Sequence, residues 1–284
     1  MIIDSIVILY NPDEQSVLKN IEIISANTNC CYVVVNSCAV KILDQISRIK
    51  GVVIINNNMN IGLSKSLNIG LREVIKSNSE GVILFDQDSL PSELFFDNII
   101  ACCQNLLKSN ESVGAVGGLI HDDKKNIVTE DIASPTTEVD VIITSGCLIP
   151  LTTIKKVGLM DETFFIDYID YEWCFRAKSM GYKIFVSNNS ILYHNLGDNL
   201  VGFLNVKKPI HDNVIRHYHI IRNQLVIVCR KYIPLRWRIG HFFKIFYRIP
   251  GYIYYSSNRK ETVKNISKAI VDFVKIKDKE NYTF

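Results

Sequence analysis

The chain has 284 residues, 48% apolar and 21% charged, enough for one large domain or two small ones around a substantial core, and unlike a disordered or collagen-like composition. No apolar run approaches the roughly 18–20 residues of a bilayer span, and Asp4, Asp13 and Glu14 stand where a signal peptide would carry basic and apolar stretches. The net charge of +3 hides an asymmetry: residues 1–200 hold 15 Lys and Arg against 24 Asp and Glu (−9), and residues 201–284 hold 17 against 5 (+12). The acidic part suits a cation and the basic part an anionic surface. The eight cysteines include the neighbours Cys30 and Cys31 and the neighbours Cys102 and Cys103, with no CxxC. They read as reduced, buried thiols rather than as a metal or disulfide framework.

In chain order, residues 2–10 form an apolar run stopped by Asn11-Pro12, a strand followed by a turn. Helical spacing follows at 17–26, then a β-branched run at 31–36, a helix at 40–49, a strand at 52–56, a helix at 63–76 and a strand at 81–85. Apolar strands separated by helices of 10–15 residues predict a parallel sheet covered on both faces. Ligands of such sheets sit at the carboxyl ends of the strands, here Tyr10 and Asn11, Asn36 and Ser37, Asn56 to Asn60, and Asp86 to Asp88. Beyond them, strands are expected at 113–120 and 139–143 with a polar, exposed stretch at 121–131 between. A helix at 172–180 closes at Gly181, and strands follow at 182–186 and 191–193. From Asp212 onward the pattern turns helical, near 213–232, 236–256 and 261–277, with breaks or kinks at Pro234 and Pro250.

Four places can carry chemistry. Asp86-Gln87-Asp88 sets two carboxylates after a buried strand, a pattern that suits a hard divalent ion with positions left for phosphate oxygens; Asp88 or Ser89 can equally cap the next helix. Asp167, Asp170 and Glu172 lie among the five aromatics from Phe164 to Trp173. Apolar surroundings there raise a carboxylate's pKa towards that of a working general base, while acids are also favoured in the first turn of a helix. Asp170 is read as the catalytic one, and Glu172 as supporting it from behind or capping the helix. Asn60, Gly62, Asn68 and Gly70 at a strand-to-helix junction permit close approach of backbone to ligand, or simply make an Asn-rich turn. His194 follows a strand and is either a structural residue or a ligand.

Taken in order, these residues resemble the family 2 glycosyltransferases of the GT-A fold, and specifically bacterial rhamnosyltransferases. The resemblance is carried by Tyr10-Asn11-Pro12, Asn60-Ile61-Gly62 with Asn68-Ile69-Gly70, Phe85-Asp86-Gln87-Asp88-Ser89, Thr144-Ser145-Gly146, and the run from Phe165 through Asp170 to Arg176. It extends over roughly residues 3–230. It implies a Rossmann-like, mostly parallel central sheet flanked by helices, with a nucleotide-sugar-binding and catalytic domain at 1–210 and a helical extension at 211–284.

On these positions the resemblance implies that Tyr10, Asn11, Asn36, Asn60, Lys65, Asp86 and Gln87 bind the donor nucleotide. Asn36 stands where the family usually has an Asp, so a charge is missing there. Asp88, with His194, would hold Mg²⁺ or Mn²⁺ on the diphosphate. Asp170 matches the Asp of the family's Glu-Asp pair, with Ile169 in place of the Glu, and would be the base. Ser145, Gly146, Asp167, Glu172 and Trp173 fall at the acceptor or behind the site. The activity implied is inverting, metal-dependent transfer of L-rhamnose from dTDP-rhamnose to a lipid-linked, O-antigen-type polysaccharide acceptor. The alternatives are transfer of galactofuranose or galactose from a UDP donor, or a non-catalytic nucleotide-sugar-binding protein.

In the basic end, Arg236, Arg238, Lys244, Arg248 and Arg259 alternate with Trp237, Phe242, Phe243, Phe246, Tyr247, Tyr252, Tyr254 and Tyr255. Such helices suit the interface of an anionic membrane, or else pack their aromatics inward with the charges solvated. No nucleic-acid-binding motif occurs. The expected location is cytoplasmic, peripheral on the inner face of the bacterial cell membrane.

Overall fold

The structure, a computed structural model, describes residues 1–121, 134–193, 199–203, 206–210 and 214–280, with backbone alone at 199–203, 206–210 and 277–280. The chain divides into two compact units, Met1–Thr163 with Ile169–Asn195, and Phe164–Tyr168 with Leu196–Phe284.

The first unit alternates as its apolar pattern dictates: β1 (Ile3–Tyr10), α1 (Glu14–Ala26), β2 (Cys31–Ser37), α2 (Val40–Ile46), β3 (Val52–Asn56), α3 (Leu63–Lys76) and β4 (Gly81–Asp86). Then come β5 (Leu90–Pro91), α4 (Phe95–Lys108), β6 (Val113–His121), β7 (Thr136–Val139), β8 (Cys147–Pro150), α5 (Leu151–Val157), α6 (Ile169–Ser179) and β9 (Lys183–Tyr193). β1 is buried from Ile3 to Leu9, as a central parallel strand must be. Its one acid, Asp4, is tolerated because Asn29 Nδ2 and Ser77 Oγ donate to the two carboxylate oxygens at 2.9 and 2.8 Å. Asp13 caps α1, accepting from the Ser16 amide at 3.0 Å.

The sheet order is β3-β2-β1-β4-β8-β6-β9-β5, with β7 also on β9. β3, β2, β1 and β4 are parallel. The expected mostly parallel sheet holds in that half only. β4–β8, β6–β8, β5–β9 and β7–β9 are antiparallel, and β6–β9 is parallel. The chain moves outward from β1 to β2 and β3, then returns through α3 to place β4 on the other side of β1. That reversal makes the carboxyl ends of β1 and β4 a topological switch point, the place where open α/β sheets bind ligands.

Several local expectations shift. The two short strands near 182–193 are one strand, β9. Its register against β6 slips between Gly118 and Leu119, so that Ser187 and Ile191 face neighbouring partners and the residues between them bulge. The strand expected at 139–143 lies earlier, as β7, and α6 starts three residues before the expected helix. The stretch 122–131 lies outside the described residues. Four of the eight free cysteines are buried and only Cys229 is exposed; burial pushes the Cys31, Cys103 and Cys174 thiols up to about 12.

The second unit has a hairpin, β10 (Asn199–Phe203) with β11 (Val206–Ile210), and helices α7 (Val214–Cys229), α8 (Leu235–Tyr255) and α9 (Arg259–Glu280). Pro234 separates α7 from α8 as expected, but α8 runs on through Pro250. Pro250 and Phe246, whose carbonyl loses its bond there, are both exposed, so water can satisfy it. Gln224 Nε2 donates to the His241 carbonyl at 2.5 Å, joining α7 to α8, and Tyr218 Oη donates to Asp272 at 2.9 Å, joining α7 to α9.

Burial pushes the His219 imidazole down to about 4, helped by Arg222, and that of His241 down to about 3, helped by Lys244 and Arg248. Unfolded, both would titrate near 6.5. Below that pH the unfolded chain takes up protons that the folded chain refuses, so stability is lost as pH falls from about 6.5 towards 4. Thermal melts from pH 7.5 to 4.5 should show Tm falling across this window, with a shallower fall in His219→Gln and His241→Gln. An unchanged slope in those variants would assign the acid sensitivity to other groups.

Candidate active site

The carboxyl ends of β1 and β4 are locked together by one side chain. Gln87 Oε1 accepts from the Tyr10 amide at 2.8 Å and its Nε2 donates to the Tyr10 carbonyl at 3.2 Å, while Asn20 Nδ2 donates to the Gln87 carbonyl at 3.1 Å. The side-chain amide of Gln87 thus joins strands, and the groups it leaves towards solvent are Tyr10 and Asp88, both exposed, and Asp86, half-buried. Next to them, Asn11 adopts a left-handed φ of 46° and accepts from Ser37 Oγ at 2.6 Å, a conformation that Asn tolerates better than most residues.

Ser145 supports the same turn from the other side. It is buried, its Oγ accepts from the Asp86 amide at 3.0 Å, and it lies 2.6 Å from Ser89 Oγ. The amide of Gly146 donates to the Leu84 carbonyl at 2.8 Å. Only glycine fits there: φ is +71° and a Cβ would lie 2.6 Å from Leu192 Cδ2. Ser89 is therefore tied into this support, and neither it nor Asp88 caps the following helix, whose N-cap is Leu94.

Asp170 stands in the first turn of α6, half-buried, with its Oδ1 accepting from the Tyr171 amide at 2.9 Å. Its charge is among the causes that raise the thiols of Cys147 and Cys174, which brings it near Cys147. Cys147 is two residues beyond Ser145 and pairs with Leu84 of β4. Asp170 thus acts electrostatically on the residue two beyond the Ser145 that supports the Asp86–Asp88 turn.

Glu172 and Trp173 are both engaged in anchoring α6. Glu172 is 1% exposed and bound by both Nε and Nη2 of Arg176, at 2.7 and 2.9 Å. Arg176 also donates to the Val157 and Leu159 carbonyls, and buried Trp173 donates to the Gly158 carbonyl at 3.0 Å. These contacts fasten α6 to the end of α5. Glu172→Gln would leave the Arg176 charge underneath poorly matched, and removing one partner of a buried pair costs about 3–5 kcal/mol. It should lower Tm by several degrees; an unchanged Tm would show that the pair contributes nothing to anchoring α6.

Asn36 is also spoken for. It is buried, and its Oδ1 accepts from Ser66 Oγ at 2.8 Å, Asn57 Nδ2 at 3.0 Å and the Ile61 amide at 3.4 Å. It joins the ends of β2 and β3 to the start of α3, so its carbonyl, expected to meet the nucleotide, is used internally. Asn60 is exposed and caps a local turn, accepting from the Gly62 amide at 3.0 Å, and Lys65 is exposed one turn on. Asn68 and Gly70 are packing residues. Asn68 exchanges hydrogen bonds with the Met160 backbone at 2.9 Å each way, and a Cβ on Gly70 would lie 2.9 Å from Ile6 Cγ2, so glycine lets α3 close on β1. Asp167 folds with the second unit and is bound by Arg216. His194 lies outside the described residues.

Among the described residues no group of three or more His, Cys, Asp or Glu could enclose a metal ion. Asp86 and Asp88 instead offer one or two hard oxygen donors at an open edge. That donor set fits a cation completing its shell with substrate phosphates and water.

The fold is that of solved GT-A glycosyltransferases. The S. aureus TarS fragment 1–349, in complex with UDP-GlcNAc, matches with TM-score 0.58 and 12% identity over 96% of this chain and 81% of that one. GalNAc-T7, solved with UDP, GalNAc and Mn²⁺, matches with TM-score 0.57 and 12% identity over 86% of this chain and 56% of that one. Against longer TarS the TM-score is 0.56, and the chain spans 44% of its length. No family model matches. The dTDP-rhamnosyl transferase RfbF of Shigella flexneri is 30% identical over 250 residues, 81% of either chain. The chain belongs to the family 2 glycosyltransferases of the GT-A fold, and it is a glycosyltransferase.

Proposed function

We propose that the protein transfers L-rhamnose from dTDP-rhamnose, with inversion, to a lipid-linked polysaccharide acceptor. The observation that carries the donor is the 30% identity to a dTDP-rhamnosyl transferase over four-fifths of both chains. Tyr10, Asn11, Asn60 and Lys65, at the ends of β1 and β3 and the start of α3, bind the nucleotide in this reading; Asn36 and Gln87 shape the pocket by holding its strands together. Asp88, with Asp86, would hold Mg²⁺ or Mn²⁺, which would supply positive charge against that developing on the departing diphosphate. Asp170 accepts the proton of the acceptor hydroxyl as the new bond forms, a role that requires a carboxylate within about 3 Å of that oxygen. A base opposite the leaving group yields in-line displacement and an inverted anomeric centre.

The test is release of nucleotide by the purified protein from dTDP-rhamnose, UDP-galactose, UDP-galactofuranose and UDP-GlcNAc, with and without Mn²⁺. Turnover of dTDP-rhamnose at least tenfold above the others supports the reading, and preference for a UDP sugar replaces the donor.

The acceptor's lipid anchor agrees with the exposed face of α8. Leu235, Ile239, Phe242, Phe243 and Phe246 recur at helical spacing and are all exposed, with Phe243 and Phe246 more than 60% so. The opposite face is packed: Trp237 stacks on His241 at 3.5 Å and Tyr252 on His217 at 4.2 Å. Arg238 and Arg248 donate to partners inside the second unit, and Arg236, Arg259, Lys260 and Lys264 remain exposed. An apolar stripe with exposed cations is the pattern of a helix lying in an anionic membrane interface. Among the described residues no helix is long and apolar enough to cross a membrane. Replacing Phe242, Phe243 and Phe246 by Ser should weaken flotation with anionic vesicles at least about tenfold, since each buried Phe is worth about 1.5–3 kcal/mol. Undiminished flotation would remove α8 from the membrane.

A further inference from the structure

Residues Phe164–Tyr168 fold with the second unit, although α6 begins at the very next residue. Within them Asp167 and Tyr168 take left-handed φ values of 64° and 67°. Two successive residues with a Cβ in that region form an uncommon and costly turn, one that persists only where its surroundings dictate it.

Here the surroundings are α7 and α8. Arg216 clasps the Asp167 carboxylate with two parallel bonds, Nε to Oδ2 at 3.1 Å and Nη2 to Oδ1 at 2.9 Å. Asn223, fully buried, donates through Nδ2 to the carbonyls of Ile166 at 2.6 Å and Asp167 at 2.9 Å, and its own Oδ1 accepts from Arg222. Arg248 donates to Tyr168 Oη and, at 2.7 Å, to Gln224 Oε1. Phe165 stacks on His219 with ring centres 4.9 Å apart. Side chain, carbonyl and ring of this turn are each held by a separate residue of the two helices.

We infer that Arg216 and Asn223 are positioning residues for glycosyl transfer: they impose the left-handed turn at 167–168 and so fix where α6 starts, and with it the carboxylate of Asp170 two residues on. This rests on the reading of Asp170 as the base. The basic helices, on this view, do part of the enzyme's catalytic work.

The test compares Arg216→Ala, Arg216→Lys and Asp167→Asn in the full chain. Three quantities are read: hydrogen exchange of the amides in 164–172, Tm, and turnover of dTDP-rhamnose followed as dTDP release. Arg216→Ala should speed exchange in that segment and cut kcat, each at least tenfold, with KM for dTDP-rhamnose changed less than twofold. Lys keeps the charge but not the fork and should fall between; Asp167→Asn loses only the charge and serves if Arg216→Ala does not fold. Unchanged exchange, or faster exchange with full kcat, overturns the inference. A higher KM at full kcat would make Arg216 a donor contact, and a loss of kcat that only follows loss of folded protein would make it structural; either result overturns it too. If Asp170→Asn is inactive while Arg216→Ala keeps full kcat, the inference alone falls. If Asp170→Asn keeps its turnover, the base assignment falls first.

Discussion

Asp170→Asn is expected to bind dTDP as the native protein does and to turn over dTDP-rhamnose about 10²-fold or more slowly. The size follows from the usual worth of a positioned proton acceptor. The substitution is close to isosteric, and an amide oxygen can still accept from the Tyr171 amide as Oδ1 does now. The start of α6 should therefore survive, and what disappears is the capacity to take a proton. Other attachments of α6 are made by its neighbours: Glu172 and Arg176 pair with one another, and Trp173 bonds to the Gly158 carbonyl. Single-turnover rates with unchanged Tm would isolate the chemical step. A variant that works at near-normal speed would strip Asp170 of its role.

The second large effect is expected at Asp88. Asp88→Ala should lower turnover to background, at least about 10³-fold, because an uncompensated diphosphate is a poor leaving group and metal-centred charge stabilisation is worth several kcal/mol. The fold should be indifferent. The turn is held by Gln87 on Tyr10 and by Ser145 on Asp86 and Ser89, and Asp88 itself is exposed. EDTA should reproduce the loss in the native protein, and Mn²⁺ or Mg²⁺ should restore it there but not in the variant. Full activity in EDTA would remove the cation from the mechanism.

Much of this architecture was legible without coordinates. Continuous apolar runs alternating with 3.6-period segments predicted β1 to β4 and their helices, since burial on both faces leaves a parallel strand few polar positions. The Asn11-Pro12 stop and the Asp86-Gln87-Asp88 run marked the strand ends, and strand ends are where such sheets work. The antiparallel half was not legible: whether β8 runs with or against β4 depends on a partner more than sixty residues away in sequence, which local propensity does not report.

The polar side chains divide the same way. Composition and spacing alone determined which residues carry charge at the sheet edge and that the last third is basic, aromatic and helical. Tertiary structure alone decided their duties. Gln87 and Asn36 meet backbone and side chains brought from distant segments, so they serve as struts. Asn68 and Gly70 became packing residues for the same reason. The left-handed pair Asp167 and Tyr168 contains no glycine or asparagine to announce it, and it exists because Arg216, Asn223 and Arg248 converge on it from helices that begin nearly fifty and nearly seventy residues later. A hydrogen bond belongs to two partners, and the sequence names only one of them until the chain folds.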